Sequence, residues 1–161
     1  MQKITPFLWF DKEAEEAAKF YVSIFKNSKI LNVSRYPKEG FEVHHMPEGT
    51  AMTVEFILEG QKFLALNAGP VFKFNEAISF VVDCQTQEEV DYFWNKLSAV
   101  KESGQCGWLK DKYGLSWQII PKQLGEMLSD KDPQKAGRTM QAMLTMKKID
   151  IAGLNKAYEG K

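Results

Sequence analysis

The chain has 161 residues, 44% hydrophobic and 26% charged, which suits one globular domain with a buried core. Lys plus Arg number 21 and Asp plus Glu number 21, so no net charge draws in nucleic acid or an anionic membrane. No run approaches the ~20 apolar residues of a membrane span, and two cysteines, Cys84 and Cys106, make neither a disulfide framework nor a zinc quartet. With no apolar signal core in Met-Gln-Lys-Ile-Thr-Pro, the expected setting is cytoplasmic.

Residues 3–10, Lys-Ile-Thr-Pro-Phe-Leu-Trp-Phe, predict a strand, and Asp11 is placed to cap the helix that follows. Ala14, Ala17, Ala18, Tyr21, Ile24 and Phe25 form that helix's apolar stripe. Lys29 to Tyr36 fits a second strand, and a polar loop with Pro37, Gly40, Pro47 and Gly49 follows. Met52, Val54, Phe56 and Leu58 then alternate with Thr53, Glu55, Ile57 and Glu59, the cleanest two-residue period in the chain. Gly60 turns this strand into Lys62–Asn67 as a hairpin, for an order of β-α-β-β-β.

After Ala68-Gly69-Pro70 the order restarts. Glu76 to Asp83 predicts a strand, Thr86-Gln-Glu-Glu89 a capping box, and Val90, Phe93, Trp94 and Leu97 the buried stripe of a helix. Cys106 to Lys110 and Leu115 to Pro121 are strands joined by a turn at Asp111-Lys-Tyr-Gly114, with one expected strand missing or reduced to a piece near 101–105. In the last strand Gln118 projects with Ser116 and Ile120, away from Trp117 and Ile119. The remainder is helical: Leu124, Met127 and Leu128 mark one helix, Asp132-Pro133 opens a second carrying Met140, Met143, Leu144 and Met146, and Asp150 caps a third. Their apolar residues are expected to cover a sheet edge or a second subunit. The whole reads as a single domain of 1–161, with modules at 3–69 and 76–121 and a helical extension at 122–161.

The stretch Cys106-Gly-Trp-Leu-Lys-Asp111 with Ser116-Trp-Gln118 resembles the last strands of the vicinal oxygen chelate superfamily of glyoxalases, bleomycin-resistance proteins and dioxygenases. Added to it are Ile4-Thr-Pro-Phe-Leu-Trp-Phe-Asp11, Glu15-Glu-Ala-Ala-Lys-Phe-Tyr21, Thr53-Val-Glu-Phe56, Leu66-Asn-Ala-Gly-Pro70 and Gln141-Ala-Met-Leu-Thr-Met-Lys-Lys-Ile-Asp150. With these the chain is similar to the PhnB-like branch, often labelled 3-demethylubiquinone-9 3-methyltransferase. The resemblance implies an α+β fold of two βαβββ modules, mixed curved sheets around a cavity, and a homodimer.

In metal-dependent members of the superfamily the ligands come from the first and last strands of each unit. Here those positions fall near Ile4 or Thr5, near Ala65 or Asn67, at Ala77 and at Gln118, so no metal and no other cofactor is expected. His44 and His45, the only histidines, are adjacent in a loop and read as loop residues, with a non-standard metal site as the alternative.

The candidate ligand-binding residues are Trp9, Asn67, Trp108 and Gln118: two amides at pseudo-equivalent places and two aromatic walls. Glu55 is the candidate catalytic base, if it faces the cavity and carries either a raised pKa or a basic partner. The expected function is binding of a small organic molecule. The alternative is a metal-independent isomerase, lyase or oxygenase acting on a vicinally oxygenated substrate. Methyl transfer is disfavoured, because the sequence has no Gly-x-Gly turn to hold a nucleotide cofactor. The third option is an interaction module built on the Met-rich helices.

Overall fold

The computed structural model describes residues 2–161, arranged as two compact units, one ending at Phe74 and the other Asn75–Lys161. The first contains β1 (Phe7–Phe10), α1 (Ala14–Ile24), β2 (Lys29–Arg35), a short α2 (Phe41–His44), β3 (Ala51–Leu58) and β4 (Gln61–Asn67). Its sheet runs β1-β4-β3-β2, with β1 parallel to β4 and the remaining pairs antiparallel. The two-residue period of β3 is reproduced: Val54, Phe56 and Leu58 are buried, while Thr53, Glu55 and Ile57 are only half-buried on the other face. Every member of the predicted α1 stripe is buried, and its three alanines let the helix approach the sheet closely. Tyr21 and Phe63 each stack with Phe56, with centroids 6.4 and 5.6 Å away.

The predicted Asp11 cap is not formed. Glu13 occupies the cap position without a side-chain bond, and the free amide of Ala14 instead donates to Asn67 Oδ1 at 2.8 Å. Parallel pairing of Phe10 with Asn67 brings the end of β4 beside the start of α1, which explains the substitution.

The second unit contains β5 (Ser79–Cys84), α3 (Gln87–Leu97), a single 3-10 turn (Lys101–Ser103), β6 (Trp108–Lys110), β7 (Ser116–Pro121), α4 (Lys122–Leu128), α5 (Pro133–Leu144) and α6 (Ile151–Glu159). Its sheet runs β5-β7-β6, parallel on one side of β7 and antiparallel on the other. The missing strand is replaced by the 3-10 turn and an isolated bridge from Gln105 to Trp108. Thr86 caps α3 by accepting from Glu89 N at 3.3 Å, but Glu89 reaches back to Gln85 N rather than to Thr86's own amide.

The C-terminal helices close on the second unit. Leu124, Met127, Ile149 and Leu154 form a buried cluster that Ile120, Met143 and Met146 extend. Carbonyls of Met146 and Lys147 accept from the amides of Cys106 and Gly107, both at 2.8 Å, so the extension covers backbone just before β6. Gln87 ties the start of α3 to that of α6 through Ile149 O and Ile151 N. Among the described residues no helix is long and apolar enough to cross a membrane.

Candidate functional site

The register of β7 is pinned from beneath. Asp111 is fully buried, with Oδ1 accepting from Tyr113 N at 2.8 Å and Leu115 N at 3.0 Å, and Oδ2 accepting from Trp117 Nε1 at 2.8 Å. With Trp117, Ile119 and Leu109 buried on one face, Ser116, Gln118 and Ile120 must stand on the other. Across the ladders this open face carries two rows. Ser79, Ser116 and Lys110 pair in one, and Val81, Gln118 and Trp108 in the next.

Gln118 Nε2 donates to Ser79 Oγ at 2.8 Å. Trp108 and Gln118 are half-buried, and Val81 is 53% exposed. Ser116 is 1% exposed, yet its hydroxyl has no hydrogen-bond partner. The ammonium of Lys110 pairs with the exposed Glu76, whose carboxyl is held below its ordinary range by that contact. Gln118 and Trp108, two predicted site residues, are therefore direct neighbours on a face of hydroxyls, one amide and one cation.

The first unit has its own open face. Phe7, Leu64, Glu55 and Asn32 form one row, and Trp9, Leu66, Thr53 and Ser34 the next. Glu55 stands there half-buried with Lys62 as its basic partner. Trp9 is tied by its indole N–H to Gly69 O at 2.8 Å and meets Phe72 edge-on at 4.9 Å.

Asn67 is not on this face. It is 1% exposed, its Oδ1 taken by Ala14 N and its Nδ2 by Ala51 O at 2.9 Å. The structure gives it backbone work in place of the ligand contact expected of it. Ser79, Ser116, Lys110 and Lys62 were not among the predicted site residues. Alternation places Ser116 beside Gln118, but only the cross-strand register adds Ser79 and Lys110.

A family model described as 3-demethylubiquinone-9 3-methyltransferase matches residues 2–120. A solved structure described as a putative 3-demethylubiquinone-9 3-methyltransferase, PhnB protein, from Bacillus cereus is 39% identical, with a TM-score of 0.64 over 74% of this chain and 99% of that one. The chain belongs to this family. The protein PA1353 from Pseudomonas aeruginosa shares the fold at 15% identity, with a TM-score of 0.55 over 75% of this chain and 98% of that one. No curated protein matches. The family match ends at residue 120, before α4, so the C-terminal helices, including the Gln141–Asp150 piece of the resemblance, lie outside it.

For this family member the donor set does not fit a metal of the superfamily type. Ile4 is 86% exposed with no donor atom, Thr5 offers only a neutral hydroxyl, Ala65 is buried, Ala77 is apolar, and the Asn67 amide is spent on backbone, which leaves no imidazole or carboxylate at any of these positions and Gln118 as the one amide not held by backbone. Among the described residues no three His, Cys, Asp or Glu side chains gather as a metal site. His44 is engaged locally, with Nδ1 accepting from Met46 N at 3.0 Å and Nε2 lying 3.2 Å from Glu39 O.

Proposed function

We propose that this chain binds a small organic molecule carrying an aromatic ring and a polar oxygen on the open face of β5, β7 and β6. The supporting observation is the row Val81–Gln118–Trp108, an amide set between two apolar side chains on the face opposite the buried one. An amide donates and accepts, so it orients a ligand oxygen while the indole and the valine cover the ring.

The direct test is titration with phenylacetamide, followed by ligand-observed NMR. Gln118→Ala and Trp108→Ala should each weaken binding about tenfold, roughly 1.4 kcal/mol. Unchanged affinity in both variants would contradict the reading.

The enzymatic alternative rests on Glu55, which has both the open-face position and the basic partner that a positioned base requires. Under that reading Glu55→Gln abolishes turnover while binding stays within about tenfold. Methyl transfer, the activity in the family's name, has little support in the architecture. Neither mixed sheet is the doubly wound parallel sheet that cradles a nucleotide cofactor, and the sequence has no Gly-x-Gly. Membership of the family also supports a homodimer, which sedimentation equilibrium would detect.

A further inference from the structure

The first row of the open face, Ser79–Ser116–Lys110, has chemistry that the neutral reading above does not use. Its two hydroxyls and one ammonium all carry hydrogens that a ligand oxygen could accept. Ser79 Oγ already accepts from Gln118 Nε2, so its own hydrogen is free to donate. Ser116 Oγ is buried with no protein partner, an arrangement that costs stability unless an ordered water or a ligand satisfies it. Lys110, its cross-strand neighbour, adds a full positive charge with a side chain 25% exposed.

That charge is met by Glu76, a 62% exposed carboxylate from the turn before β5. An exposed partner of this kind holds little net energy and exchanges readily with another carboxylate. Asp83 lies on the same face at the far end, paired with Ile120, and disfavours a negative group there. The charge pattern therefore fixes a direction, with an anionic end at Lys110 and an uncharged end away from it.

We infer that the ligand is an aryl carboxylate with a short spacer, its carboxylate on Lys110, Ser116 and Ser79 and its ring between Trp108 and Val81, and that Glu76 acts as an intramolecular competitor for the Lys110 ammonium. Residues two apart on one strand face are separated by about 6.6 Å, so carboxylate and ring must be offset by more than a direct bond. The inference rests on the binding reading above and deepens it by naming the charge of the ligand.

The experiment compares phenylacetate with phenylacetamide, a neutral molecule of the same shape, on the full chain. The wild type should bind the acid about fivefold or more tightly than the amide, since charge-assisted hydrogen bonds exceed neutral ones. Lys110→Met should abolish that preference by weakening the acid more than the amide. Glu76→Gln should widen the preference by removing the competitor. Ser116→Ala should weaken the acid without lowering the unfolding midpoint, because the hydroxyl has no partner to lose.

Equal binding of acid and amide by the wild type would overturn the inference and leave the binding reading standing. A preference that survives Lys110→Met would overturn it as well. Binding of neither compound would refute the binding reading, and the inference with it.

Discussion

Asp111 shows how one side chain sets the geometry of a site it never touches. Its two oxygens take the Tyr113 and Leu115 amides and the Trp117 indole, and so pin Trp117 inward and Gln118 outward. Asp111→Asn keeps an oxygen for the turn but offers an N–H to the Trp117 N–H, leaving a buried donor unpaired at about 1–3 kcal/mol. A lower urea midpoint at constant slope is the expected result. Cys84 makes a second prediction, because burial, with help from the charges of Glu89 and Asp83, pushes its thiol up from 9.0 to about 12. Between those values the folded chain keeps a proton that the unfolded chain loses, so stability is full below pH 9 and falls as pH rises through the window. In urea titrations from pH 8 to 11, Cys84→Ala should lose less stability with pH than the wild type. Residue by residue, the outward projection of Gln118 was legible because alternation is local. The Asn67 role was not, since Ala14 N and Ala51 O reach it only through strand register.

At the scale of elements, the junction between β6, β7 and the C-terminal helices depends on Gly107. Its φ is +86°, and a Cβ there would lie 2.9 Å from Ile119 O and 3.2 Å from Ile149 Cγ1. Its own amide and carbonyl also bond to Lys147 O and Ile119 N. Gly107→Ala should therefore destabilise by more than the ~1–2 kcal/mol of a left-handed backbone alone. Gly137→Ala, inside α5 with nothing within 4 Å, should instead stabilise by up to ~1 kcal/mol. Thermal unfolding of both variants checks the pair.

Elements with a sustained period, such as α1 and β3, were readable from sequence, whereas short ones were not. The four-residue α2 lies in a Pro- and Gly-bounded loop. The start of β5 shifts from the expected Glu76 to Ser79 because Asn75 Oδ1 accepts from Ala77 N at 3.0 Å in a turn, which leaves Ile78 70% exposed. The methionine stripe divides: Met143 and Met146 join the core, while Met140 stays 41% exposed.

For the whole molecule, the repeated β-α-β-β order was visible because both halves carry the same sequence of periods, and each half builds a sheet with one buried and one open face. Which open face carries the ligand was not visible, because the first holds an ion-paired Glu55 and the second a donor row, and both depend on cross-strand neighbours. The account places binding on the second. Backbone amide chemical-shift mapping during titration with phenylacetate tests that placement most directly. The account predicts shifts concentrated at Ser79, Val81, Trp108, Lys110, Ser116 and Gln118. Shifts clustered on Phe7, Trp9, Thr53, Glu55 and Leu64 would contradict it.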